Sequence, residues 1–105
     1  MRSFHCAVLA AAFGLCAGAA LAQSDEAPIQ TCRVCHGVDG VGTNPMIPNI
    51  GGQSAEYLSK QLQDFRAGRR EDPQMSIIAQ NLTDEEIRAL ARWYASVRAT
   101  YTLPE

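Results

Sequence analysis

Cys32-Arg33-Val34-Cys35-His36 is the stretch on which the fold turns, two thiols three residues apart with an imidazole directly after them. Just upstream, Pro28 is tolerated in a first helical turn, and the acidic pair Asp25-Glu26 favours the positive end of a helix dipole. The spacing predicts a short helix ending near His36. Downstream, the run from Gly37 to Gly52 holds five glycines and two prolines, a density that excludes both a regular helix and a central strand. A loop is expected there. Ser54 then caps a second helix over 54–67, with Leu58, Leu62 and Phe65 on one face and Gly68 as its stop. Arg69-Arg70-Glu71-Asp72-Pro73 interrupts the pattern, and Met75 to Gln80 fits one further turn. The last element is the clearest: Thr83 and Glu86 form a capping box, and Ile87, Leu90, Ala91, Tyr94 and Val97 make one apolar stripe over 84–98. No segment alternates apolar and polar residues as a half-buried strand does. The fold class is all-α, with three main helices.

Composition narrows the function classes. The 105 residues carry 9 Lys+Arg against 11 Asp+Glu and are 47% apolar. That is one small domain, too apolar for a disordered chain and without the basic footprint of a nucleic-acid binder. The first 22 residues differ from the rest: after Arg2, an uncharged apolar run from Cys6 to Leu21 closes on Ala20-Leu21-Ala22. This reads as a secretory signal over 1–22, cleaved before Gln23; the run is shorter than the roughly 20 residues of a spanning helix. Cleavage removes Cys6, Cys16 and His5 and leaves one domain over 23–105, with Cys32, Cys35 and His36 as its Cys and His residues. Losing Arg2 takes the net charge from −2 to −3. An 83-residue domain buries little surface, so a disulfide, metal or cofactor is expected to staple it.

C-x-x-C-H is the attachment signal of c-type haem. Two thiols at this spacing can add to the two vinyl groups on one haem edge, while the following imidazole reaches the iron. Three other readings use the same residues. A Cys32–Cys35 disulfide suits an oxidising compartment. A thioredoxin-like pair needs strands alternating with helices. A zinc knuckle needs four ligands, where the mature chain offers two Cys and one His. Export, the adjacent His and the missing strand pattern favour haem. The glycines of the loop would then let backbone pass close to a flat macrocycle; with no preceding strand and no Lys-Ser/Thr following, Asp39-Gly40-Val41-Gly42 is not a phosphate loop.

From CRVCHGVDG through MIPNIGGQSAEYLSKQLQDFRAG to LTDEEIRALARWYAS, residues 32–96, the chain resembles the class I c-type cytochromes. It is most similar to the small bacterial single-haem members and to one domain of the dihaem periplasmic cytochromes. The resemblance implies a small cytochrome c fold wrapped around one covalent haem c. In it Cys32 and Cys35 form thioethers, His36 is the proximal iron ligand and Met75 the distal one. The Pro48 carbonyl accepts the other ring N–H of His36, orienting the ring and raising its basicity. Tyr94, with Trp93 beside it, matches the aromatic position where the last helix crosses the first. Met46 lies two residues from Pro48, on the histidine side, and is expected as haem-contacting core. Met75 lies 39 residues beyond His36, a tether long enough to reach the far face. The lysine ring of mitochondrial members is missing; Lys60 is the one lysine.

Six-coordinate iron leaves no position for substrate, so the expectation is a periplasmic electron-transfer protein and not an enzyme. Its partners are a redox donor and acceptor, docked transiently over less than about 1,200 Å², with no nucleic acid and no membrane span after cleavage. The protein itself would be a monomer or weak dimer. A five-coordinate haem sensor or peroxidase-like protein is one alternative, although the mature chain lacks a second His for distal acid–base work. A cytochrome subunit dedicated to one oxidoreductase is another. Arg66, Arg69 and Arg70 read as a solvated helix end, with a docking patch or haem-propionate contact as the alternative.

Overall fold

The computed structural model describes residues 29–105; the expected leader over 1–22 lies outside them. Four helices follow in order: α1 Ile29–His36, α2 Ala55–Ala67, α3 Met75–Gln80 and α4 Asp84–Ser96. Among the described residues there is no strand. The short segment after Pro73, expected as a single turn, is a helix in its own right, and α2 packs against both α3 and α4.

Local chemistry sets the ends. Ser54 is extended, and its hydroxyl accepts the Tyr57 N–H at 3.2 Å. Gly68, at φ +73°, turns the chain away after α2 with its N–H on the last carbonyls. At α4 the capping box is complete, since Thr83 Oγ1 accepts from the Glu86 N–H and the Glu86 carboxylate accepts from the Thr83 N–H at 2.8 Å. The helix stops at Ser96, two residues short of the expected 98. The Tyr94 carbonyl, which would accept from Arg98 in a longer helix, is taken by the N–H groups of Gly52 at 2.9 Å and Val97 at 3.3 Å.

The core joins distant parts of the chain. Ile29 of α1 packs with Leu58 of α2 and with Leu90, Ala91 and Tyr94 of α4, while Ile87 and Ala79 are fully buried. Each large apolar side chain taken out of water in this way contributes about 1.5–3 kcal/mol. Arg66 stitches α2 to the start of α4, donating to the Leu82 carbonyl at 3.0 Å and pairing with Asp84. Asp64 is buried on α2 between Lys60 and Arg69, whose hydrogen bonds hold its carboxyl below the usual range. The arginine cluster is therefore not simply a solvated end: two of its three members make intramolecular ion pairs, and the third, Arg70, lies 4.6 Å over the Phe65 ring.

Loop 37–52 crosses over itself. The Gly40 carbonyl accepts from the N–H groups of both Ile50 (2.7 Å) and Gly51 (3.1 Å). Gly40 is at φ +75°, and a Cβ there would sit 2.2 Å from the Gly51 nitrogen; one on Gly51 would sit 2.1 Å from the Asp39 carbonyl oxygen. The glycines were expected to bring backbone close to a macrocycle. At these two positions a side chain is excluded by other backbone, the Tyr94 ring and the Val97 side chain, because the crossing leaves no room for one.

Candidate functional site

The helices and the loop enclose a cavity of about 460 Å³, within the roughly 300–1,000 Å³ of typical ligand sites. Cys32, Cys35 and His36 reach it from α1, Pro48 from the loop and Met75 from α3, so the five residues singled out in the sequence line one space. Both cysteines are free thiols, and burial pushes that of Cys32 up from its ordinary value. Neither the disulfide nor the strand-based redox pair is present among the described residues.

His36 is buried, and its Nδ1 lies 2.9 Å from the Pro48 carbonyl oxygen. A carbonyl only accepts, so Nδ1 carries the proton and donates, leaving the lone pair on Nε2. Pro48 is held in place by bonds around it: Gly42 N–H donates to Asn49 Oδ1 at 2.8 Å, and Ile50 N–H to the Gly40 carbonyl. Carbonyls at and just beyond the end of α1, which lack a partner within the helix, take donors from distant parts of the chain. Thr43 N–H donates to the Cys35 carbonyl at 2.9 Å, Tyr94 Oη–H to the Gly37 carbonyl at 2.9 Å, and Trp93 Nε1–H to the Val38 carbonyl at 3.0 Å. Burial pushes the Tyr94 phenol up to about 12, so this donor keeps its proton at any physiological pH.

Met75 is half-buried and enters α3 with its N–H on Asp72 Oδ1 at 2.8 Å. The N–H groups of Met75 and Gln74 hold the Asp72 carboxyl below its ordinary range. Met46, expected as haem-contacting core, borders the cavity, and its side chain is 87% exposed in the polypeptide. The turn explains this: Asn44 accepts the N–H groups of Met46 and Ile47 through its side chain and main-chain carbonyl, directing Ile47 inward and Met46 to solvent.

Two features of the site were not read from the sequence. The Trp93–Val38 bond spans 55 residues, and no local pattern announces it. The Asp72 cap did leave a signal, an Asp followed by Pro in the turn just ahead of α3.

The donor set fits a covalently attached porphyrin: two free thiols at vinyl spacing, an imidazole with an available lone pair, a thioether, and walls that include Leu62, Phe65 and Tyr94. No group of three or more His, Cys, Asp or Glu among the described residues is arranged to hold a bare metal ion, and none of their helices is long and apolar enough to cross a membrane.

The cytochrome c family profile matches residues 17–98. Cytochrome c-554(548) of Halomonas halodenitrificans is 43% identical over 83 residues, which are 76% of this chain and 98% of that protein. The thiosulfate dehydrogenase electron acceptor of Stutzerimonas stutzeri is 41% identical over 90 residues, 83% of this chain and 42% of the relative. The crystal structure of reduced recombinant cytochrome c4 from Pseudomonas stutzeri superposes with a TM-score of 0.59 at 37% identity, covering 64% of this chain and 38% of that one. The chain thus spans nearly all of the first relative and less than half of the other two.

Proposed function

The chain belongs to the cytochrome c family, and on that premise we propose that it is an exported, periplasmic one-electron carrier with His36 and Met75 as its iron ligands. Its cofactor is a covalently attached haem c and its role is electron transfer. When bound, the haem supplies an iron that cycles between ferrous and ferric. In the proposed arrangement Cys32 and Cys35 form the two thioethers, and the Pro48 carbonyl fixes the His36 ring by its hydrogen bond to Nδ1. Tethering makes ligation by His36 intramolecular, so the cofactor is not lost by dissociation. The Met75 sulfur, a soft and weakly donating ligand, favours the ferrous state and raises the potential. Phe65 and Tyr94 exclude water from the site.

The observation that carries this reading is the Nδ1–Pro48 bond, which leaves Nε2 of His36 free inside a cavity that Met75 also lines. Residues 1–22 are proposed as the export signal on their composition. Val34, Val38 and Trp93, exposed on and near the C-x-x-C-H helix, are proposed as the apolar part of a docking surface for transient redox partners. On this reading the protein is a monomer or weak dimer. A dedicated acceptor for one dehydrogenase is the second reading, supported by the name of the Stutzerimonas relative; co-purification with a dehydrogenase separates it from a free shuttle.

Spectra of the purified protein test the proposal. A mass exceeding the mature chain by one haem, a weak far-red sulfur-to-iron band when oxidised, and no rapid carbon monoxide uptake when reduced are expected. Met75→Ala should abolish the band and open the iron to carbon monoxide. If that variant changes neither, Met75 is not the ligand.

A further inference from the structure

The sequence Asp72-Pro73-Gln74-Met75-Ser76 closes on itself at the start of α3. Asp72 Oδ1 accepts two backbone N–H groups, from Gln74 at 2.9 Å and from Met75 at 2.8 Å. Ser76 Oγ returns the contact, accepting the Asp72 N–H at 3.0 Å, and the Ser76 N–H donates to the Asp72 carbonyl at 3.1 Å. Pro73 sits in the turn leading into α3, where its fixed φ suits entry to a helix and its missing N–H leaves nothing unpaired. Asp72 thus behaves as the N-cap of the α3 segment, and Met75 is the third residue after it. The helix beyond has only six residues, far below the length at which an isolated helix holds itself in water. Its backbone at Met75 is therefore held by two things, packing against α2 and the Asp72 cap.

Resting on the assignment of Met75 as ligand, we infer that Asp72 is a positioning residue for the iron's thioether. Its carboxylate fixes the Met75 backbone so that the sulfur is presented to the cavity before any bond to iron forms. The entropy of ordering this segment is then met by the fold, and the thioether competes better against exogenous ligands. An uncapped segment would leave Met75 on a fraying turn, and its sulfur would leave the iron more often. The two N–H groups need an accepting oxygen, not a charge, so Asn should replace Asp with little loss.

The experiment is an imidazole titration of the oxidised holoprotein, followed by loss of the far-red band as imidazole displaces the thioether. Asp72→Ala should raise the apparent imidazole affinity about five-fold, the factor that one typical N-cap corresponds to. Asp72→Asn should titrate like the wild type, and Ser76→Ala should shift in the same direction by less. Ser76→Ala carries the test if Asp72→Ala yields no holoprotein. Thr83→Ala, which removes a comparable cap from α4, should leave the affinity unchanged, since that helix does not carry the ligand. In a Met75→Ala background, Asp72→Ala should add nothing. The inference is overturned if Asp72→Ala leaves the affinity at the wild-type value, if Asp72→Asn behaves like Ala, or if Thr83→Ala has an equal effect. Failure of the ligand assignment itself looks different: Met75→Ala alone would then keep the far-red band.

Discussion

Gly40→Ala and Gly68→Ala form a matched pair, since both glycines have nearly the same left-handed φ, +75° and +73°, and differ in what a methyl would meet. At Gly68 there is nothing within 4 Å. The cost there is conformational, roughly 1–2 kcal/mol for a left-handed alanine, offset by about 0.4–1 kcal/mol from the stiffer unfolded chain. A net loss of about 1 kcal/mol lowers Tm by roughly 4–8 °C in a domain of this size. At Gly40 the same conformational cost applies, but the methyl would lie 2.2 Å from the Gly51 nitrogen and 2.4 Å from its Cα, and backbone cannot rotate away as a side chain can. Relieving the contact means parting the crossing and giving up the two bonds to the Gly40 carbonyl, each worth about 0.5–1.5 kcal/mol net. Gly40→Ala should therefore lose about 2–4 kcal/mol, a large fraction of what holds a small domain folded. Denaturant unfolding of the holoproteins, followed by far-ultraviolet circular dichroism, gives both values. Equal losses for the two variants would show that the crossing is not a constraint and would refute the reasoning.

Ile87→Ala, which empties a fully buried position, should lose about 2–5 kcal/mol in the same assay. Tyr94→Phe removes the bond to the Gly37 carbonyl and should lose about 0.5–1.5 kcal/mol near neutral pH. Its pH dependence is a second readout. The phenol is raised from about 10 unfolded to about 12 folded, so the stability it lends is complete below pH 10 and is lost as pH rises through 12. A Tm profile that declines over that interval in the wild type and less in Tyr94→Phe is expected. Asp64 has the opposite sign: its lowered carboxyl stabilises above the unfolded value near 3.8, and that contribution fades as acid protonates it. Asp64→Asn should flatten this part of the acid unfolding curve.

Which parts of the fold were legible follows from the range of the interactions that make them. Ser54, Gly68 and the Thr83–Glu86 box act within three or four residues, so the ends of α2 and the start of α4 can be read from neighbours in the chain. The C-x-x-C-H spacing is equally local, and the resemblance built on it directed attention to Pro48 and Met75. The misreadings fall where the partner is remote or the direction of a side chain decides. Proximity to Pro48 along the chain puts Met46 at the cavity, as found, but does not foretell the Asn44 turn that leaves much of its side chain exposed. Sequence alone presents Arg66 as a solvated helix end, because Asp84, 18 residues on, cannot be paired with it locally. The glycines were recognised as needed for close approach, yet what approaches, Gly51 against Gly40, depends on a crossing that only the folded loop creates.

The bonds from Trp93 and Tyr94 to the Val38 and Gly37 carbonyls also impose an order of events. They clasp residues separated by 55 and 57 positions, so this closure must wait until the last helix has emerged and found the first. Contacts between such distant positions carry the loop-closure entropy that slows folding. Until the clasp shuts, the Gly37 and Val38 carbonyls, just after His36, are without their two aromatic donors.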